Sequence, residues 1–358
     1  MRRTKNPLLI VGDKRSRGCA LDPSFNAFVK IIEDSRGKGL EAHIISYKDL
    51  LNGNLPEISN PVLNVLLFFP YKYWDANIEV YKKDSKVYGD KSFGREFKKY
   101  FERVGNAIEK KYKKRKIEYV NPPNISILDR DKEQTKKFFR KHKIPTPKSF
   151  CVNNLKDLHR LINQGLSLYI KPRFGAMGKG ITYLSNDLLI TNFLFQKGEI
   201  ISHPYDYHWR FHDVKDSDKD KFLKVLLSRG FIFEEAIDPP IHKGRRSDFR
   251  VYCIYGEVCY YYVRSTPAIT LVTNWSQGGK IEQKKKFSQY ISAAKLNKVK
   301  SLARKIAREL KLNYAGIDII FSKDYKKIYA LEAHSFPGHE IGFDLMGNLA
   351  KKITSLSR

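Results

Sequence analysis

Apolar residues fall along this chain in two rhythms, short unbroken runs and helical stripes. The runs "LLIVG" (Leu8 to Gly12), "AHIIS" (Ala42 to Ser46) and "NVLLFFP" (Asn64 to Pro70) have the length of buried strands. The amphipathic "SFNAFVKIIEDSRGKG" lies between the first two, so strand, helix, strand and strand predict a small α/β domain with a parallel sheet. Phe97, Phe101, Val104, Ile108 and Tyr112 then recur on one helical stripe, and "NPP" at Asn121 to Pro123 marks a break. A further helix covers "KEQTKKFFRKHK", with Asp129 as candidate N-cap and "IPTP" as its stop. Next come the helix "NLKDLHRLINQG" and the strands "LSLYIKP" and "FIFEEAI". A hairpin "FRVYCIYGEVCYYYVRS", a helix near Ser292 to Leu310, a hairpin "AGIDIIFSKDYKKIYALEAHS" and a helix from about Ile341 complete the pattern.

With 358 residues, 42% of them apolar, the chain has material for two or three domains with real cores. The net charge of +29 adds an attraction to polyanions, acidic substrates or an anionic surface. Tyr81 to Lys116 concentrates that charge and reads either as a polyanion footprint or as the solvated face of a helix whose aromatics point inward. No apolar run approaches the roughly 18–20 residues that span a bilayer, and the scattered Cys19, Cys151, Cys253 and Cys259 suit reduced thiols, so a cytoplasmic protein is expected.

Chemistry concentrates in three places. "LYIKPRFGAMGKGITYL" (Leu168 to Leu184) sets a glycine-rich loop between two strands, neither a P-loop nor a dinucleotide fingerprint because no helix follows. Such a flap folds over phosphates and donates backbone N–H groups, with Lys171 and Lys179 adding charge. In the second hairpin, Asp318 and Glu332 come side by side and can hold Mg²⁺ against nucleotide phosphates. His334 shares their strand face and is a third candidate ligand, suited to a softer metal. Arg250 and Arg264, evenly spaced across the first hairpin, can face one cleft and stabilise a transferring phosphoryl group, with Asn274 in "TNWSQGG" nearby; structural salt bridges are the alternative. His203, His208 and His212 suit a surface insertion better than a metal site. "IHKGRRSD" is either an anchor for an acidic substrate or a solvated turn.

Taken in order, Lys132, Lys171 with its flap, "FEEAI", "DFR", Arg264, Asn274, Asp318 and Glu332 resemble the ATP-grasp superfamily. The likeness is greatest to the glutamate-adding RimK-like ligases and the YheC/YheD-like group, and it runs from about Ile127 to Gly338. The resemblance implies an N-terminal Rossmann-like α/β domain (1–125) followed by a two-part α+β grasp, a central subdomain with the flap (126–233) and a C-terminal subdomain with metal and catalytic residues (234–358). It implies that Lys132 and Lys171 bind phosphate and that Gly175, Ala176, Met177, Gly178, Lys179, Gly180 and Ile181 form the mobile loop. Glu234, Glu235, Ala236 and Ile237 then correspond to the linker whose backbone reads adenine. Arg250, Arg264 and Asn274 correspond to the groups at the reacting phosphate, and Asp318 and Glu332 to the metal ligands. His334 stands where the family usually has asparagine, which opens Mn²⁺ as an alternative to Mg²⁺.

The implied activity is ATP-dependent carboxylate–amine ligation through an acyl phosphate, releasing ADP and phosphate. Its partners are ATP, an acidic or carboxylate-bearing substrate and an amine. The rivals are a grasp-type small-molecule kinase of the inositol-phosphate kind and a nucleotide-binding structural or coat-type protein docked on a polyanion through its basic surface.

Overall fold

The computed structural model describes residues 6–13, 23–34, 41–80, 87–203, 209–273, 278–282, 287–338 and 342–356. Asn274, His208, Cys19 and residues 81–86 of the basic segment lie outside them.

The N-terminal part is a parallel sheet of β1 (Leu8–Val11), β2 (Ala42–Ile45), β3 (Val62–Leu67) and β4 (Lys116–Tyr119) in the order β2-β1-β3-β4. β1 is an unbroken apolar run because both its faces are covered: Leu8 and Ile10 enter one core, Leu9 and Val11 another. Helix α1 (Pro23–Asp34) buries Phe25, Phe28 and Ile32. The long α2 (Lys91–Lys111) starts where the Asp90 carboxylate accepts the Ser92 N–H. It buries Phe93, Phe97, Tyr100, Phe101, Val104 and Ile108, leaving Lys91, Arg95, Lys98, Lys99 and Arg103 exposed. The aromatic stripe is therefore core, and the basic residues of this helix lie on its exposed face.

After the "NPP" break, α3 (Lys132–Lys141) is capped by Asp131, whose carboxylate accepts the Gln134 N–H. The expected cap, Asp129, sits two residues too early and is buried elsewhere. Two antiparallel sheets follow. The first has the order β11-β8-β7-β6-β12-β5. Its strands are β5 (Ser149–Phe150), β6 (Leu168–Lys171), β7 (Thr182–Leu184), β8 (Leu189–Thr191), β11 (His212–Asp213) and β12 (Ile232–Glu235). The ribbon β9 (Leu194–Gln196) with β10 (Glu199–Ile201) stands apart from it. The second sheet runs β16-β15-β14-β17-β18, with β13 (Ile241–His242) on β14. Its strands are β14 (Arg245–Ile254), β15 (Glu257–Pro267), β16 (Lys280–Glu282), β17 (Tyr314–Phe321) and β18 (Ile328–His334). Both expected hairpins form, β14 with β15 and β17 with β18.

Helix α4 (Leu155–Asn163) packs on the first sheet, α5 (Ala293–Glu309) on the second. Helix α6 (Leu345–Leu356) turns back to pack against α1. Asn121 ties the break to the second sheet: its amide donates to the carbonyls of Tyr314 (2.6 Å) and Ser335 (2.8 Å) and its oxygen accepts the Tyr314 N–H. Among the described residues no helix is long and apolar enough to cross a membrane.

Candidate active site

A cleft opens between the two antiparallel sheets, lined by Lys132, Lys171, the flap residues Gly175 to Lys179, Glu234, Arg264, Asp318 and Glu332 among others. β6 ends at Lys171, and its partner β12 brings Glu234 alongside. The Lys171 ammonium is ion-paired with Glu234, which also lies 3.2 Å from Lys136. Burial alone would raise the Glu234 carboxyl, but Lys136 and Lys171 outweigh it and hold it at about 2. Lys136, one helical turn beyond Lys132, was not singled out in the sequence; its spacing on α3 was the available signal. Lys132 contacts the Gly175 carbonyl and lies 3.5 Å from Glu332.

The flap is a tight loop with Met177, Gly178 and Gly180 at positive φ. A side chain at Gly180 would meet Phe193 at 2.6 Å and Pro172 at 2.7 Å, so glycine is required there. Asn192 accepts the Ile181 N–H and donates to the Gly178 carbonyl. From the N-terminal part, the Tyr88 hydroxyl accepts the Ala176 N–H (2.8 Å) and faces the Ala176 carbonyl (3.1 Å). Lys179, expected to face phosphate, is buried and paired with Glu79. In the expected adenine-reading segment, the Glu235 and Ala236 N–H groups donate to the Lys148 and Ser167 carbonyls (2.8 Å each), while Glu235 and Ile237 line the cleft.

On the opposite wall, Asp248 and Arg264 are paired across β14 and β15 and join through two hydrogen bonds of 2.8 and 2.7 Å. Arg264 also approaches Asp318 Oδ1 (3.1 Å), and Arg250 Nε lies 2.9 Å from the same oxygen, off the line of a hydrogen bond. Both arginines thus reach one carboxylate, as the even spacing implied, but Arg264 lines the cleft and Arg250 lies beneath it. Burial would raise Asp318, yet Arg250 and Arg264 hold its carboxyl far below the usual range.

Register places Asp318 opposite Glu332 and Gly316 opposite His334, with a bulge after Asp318. His334 Nε2 lies 3.4 Å from Asp318 Oδ2 and 3.4 Å from Glu332 Oε2. Among the described residues these three form a group able to hold a metal ion. Two carboxylates and an imidazole converging on one point suit a divalent cation. Behind the ring, the buried Asp129 faces Nδ1 at 3.7 Å, accepts the Ser335 N–H (2.7 Å) and pairs with Arg130 (2.9 Å). The sequence pattern gave no hint of this contact, which joins segments some two hundred residues apart.

The remaining candidates lie elsewhere. His203 is buried against Trp209, and His212 is exposed on β11. In the basic loop, Arg246 lines the cleft and donates to the Thr270 carbonyl (2.9 Å), whereas Arg245 turns to Ser265. Cys151, Cys253 and Cys259 are free thiols, and burial pushes Cys253 up to about 12.

A curated ligase, tetrahydromethanopterin:alpha-L-glutamate ligase of Methanocaldococcus jannaschii, is 26% identical over 227 residues, 63% of this chain. The match spans 65% of that relative's length, just under two thirds. Among solved structures, the ATP-grasp ligase PsnB complexed with its minimal precursor superposes with a TM-score of 0.57 at 16% identity, over 98% of this chain and 99% of PsnB. D-alanine--D-alanine ligase from Bacillus anthracis complexed with ATP gives 0.53 at 16% identity, over 99% and 97%. At these identities the likeness is one of fold. The family pattern described as YheC/D-like ATP-grasp matches residues 130–356, the segment that builds both walls of the cleft, and this chain belongs to that family.

Proposed function

We propose that the protein is an ATP-dependent carboxylate–amine ligase that activates a carboxylate as an acyl phosphate and passes it to an amine. The observation that carries this reading is the cleft itself. On its walls and floor Lys132, Lys136, Lys171, Arg250 and Arg264 meet the carboxylates of Glu234, Asp248, Asp318 and Glu332. Cations on both walls, held in place by carboxylates, can turn to the charge of a triphosphate. On this reading residues 126–233 and 234–358 clasp the nucleotide and residues 1–125 shape the acceptor side.

Lys132 and Lys171 orient the phosphates, and flap N–H groups close over them. Arg264, at the cleft surface, faces the charge that develops as the γ-phosphoryl group moves to the substrate carboxylate; Arg250 holds Asp318 from below. Asn274 joins them as the third proposed catalytic group. The amine then attacks the acyl carbon, the C–O bond to phosphate breaks, and an amide, ADP and phosphate leave. A divalent cation held by Asp318, Glu332 and His334 supplies neutralisation of phosphate charge.

Support for ligase over kinase chemistry comes from the relatives, one of which joins glutamate to its acceptor. PsnB and its like are complexed with precursor peptides. We take the substrate class to be a carboxylate-bearing small molecule or peptide, with an amino acid or peptide amine as acceptor.

The test is ATP turnover with Mg²⁺ and with Mn²⁺, for the wild type and Lys171→Ala, against amino acids, acidic peptides and inositol phosphates. Amine-dependent release of ADP with stoichiometric phosphate, reduced at least about a hundredfold in the variant, is expected. ADP without free phosphate would show a kinase instead.

A further inference from the structure

Each of the three candidate metal ligands divides its two polar atoms between two directions. Asp318 turns Oδ2, Glu332 turns Oε2 and His334 turns Nε2 to a common point. The remaining atoms face partners outside that point: Asp318 Oδ1 meets Arg250 and Arg264, Glu332 Oε1 meets Lys132, and His334 Nδ1 meets Asp129. Each inward atom is therefore backed by an outward contact.

Asp129 is the unexpected member. It comes from the turn before α3, and its side chain is 1% exposed. The Ser335 N–H and Arg130 fix its carboxylate. At 3.7 Å its contact with Nδ1 is electrostatic rather than a hydrogen bond. With Nδ1 turned to Asp129, Nε2 is directed between two carboxylate oxygens at 3.4 Å. The three inward atoms lie within 4.8 Å of one another, the span of a shared cation. A carboxylate behind a metal-bound imidazole is the usual way proteins orient such a ligand.

We propose that Asp129 is a positioning residue that orients His334 as a true third ligand, and that the resulting site of two carboxylates and one imidazole prefers Mn²⁺ to Mg²⁺. This rests on reading Asp318 and Glu332 as the metal-holding pair. Imidazole adds affinity for a transition metal and little for Mg²⁺, which keeps to oxygen donors.

Mn²⁺ binding is measured by electron paramagnetic resonance on the full chain with ADP, in competition with Mg²⁺, for the wild type, Asp129→Asn and His334→Asn. In the wild type, Mn²⁺ binds at least about tenfold tighter than Mg²⁺, and electron spin-echo modulation shows a directly bound nitrogen. Asp129→Asn lowers Mn²⁺ affinity about tenfold or more while Mg²⁺ affinity changes little. His334→Asn abolishes the nitrogen coupling and the preference. Absence of that coupling in the wild type, or an unchanged Mn²⁺ affinity in Asp129→Asn, overturns the proposal; His334 is then an internal cation or a spacer.

Should Asp129→Asn fail to fold, ¹⁵N-histidine spectra of the Mg²⁺–ADP wild type decide. A proton on Nδ1 alone is expected, and an Nε2–H tautomer or an imidazolium overturns the assignment. Amine-dependent turnover with Mn²⁺ lacking nitrogen coupling counts against this inference alone. Nitrogen-coupled Mn²⁺ without such turnover counts against the ligase reading alone.

Discussion

Glu234 shows how much one buried carboxylate can hold. Two ammonium groups share it, and its folded carboxyl lies near 2 against an ordinary 4.5. Since the folded value is depressed, the stabilisation is complete above about pH 4.5 and is lost as pH falls toward 2. Urea unfolding of the wild type should therefore weaken steadily from pH 5 to pH 3, and Glu234→Gln should flatten that slope. At pH 7 the same variant strands Lys136 and Lys171 without their counter-charge and should lose about 3–5 kcal/mol. The cleft was partly legible at this level. Alternation along a strand puts Glu332 and His334 on one face, and the hairpin turn sets Asp318 against them, so these three residues could be found without coordinates. Asp129 could not: its apparent role as a helix cap followed from local sequence, whereas its contact is with a strand end far along the chain. Lys179 lines the cleft as its place among glycines implied, but its ion pair with Glu79 links segments a hundred residues apart and was not readable.

The flap depends on contacts from outside its own hairpin. Tyr88 and Glu79 reach it from the N-terminal part, and Asn192 from the neighbouring strand end. Its glycines announced a loop that comes close to something, and the structure shows part of that something to be protein: Phe193 and Pro172 crowd Gly180. Gly180→Ala faces both a positive φ and that crowding, so a loss of more than about 1 kcal/mol in thermal unfolding is expected. Tyr88→Phe removes the hydroxyl on Ala176, and amide hydrogen exchange at 176–180 should quicken by about tenfold, as expected for one lost hydrogen bond. Unchanged exchange would mean that Asn192 and the Lys179–Glu79 pair hold the flap unaided. The stripe on α2 was readable from its spacing alone, because burial follows helical period whichever partner covers it.

The cores of the molecule cross between its sheets. One joins β1 and β3 to the first antiparallel sheet, a second lies under α5, and a third packs Leu8, Ile10, Phe25 and Phe28 against Tyr252, Tyr314, Leu345, Leu349 and Ile353. Apolar runs identify strands but not which of these cores receives each face, because that choice is made by distant elements. Leu349 is fully buried, and Leu349→Ala should cost about 2–5 kcal/mol. The loss should appear in protease sensitivity of α1 as well as α6, since each covers the other. This arrangement also sets the order in which the protein can be completed. Phe25 and Phe28 leave the ribosome more than three hundred residues before Leu345 and Leu349, roughly 15–60 s earlier at ordinary rates of synthesis. Through that interval this core gains Phe68, Val120, Tyr252 and Tyr314 in turn but still lacks the residues of α6. Closure of this core therefore waits for α6, long after its first members have been made.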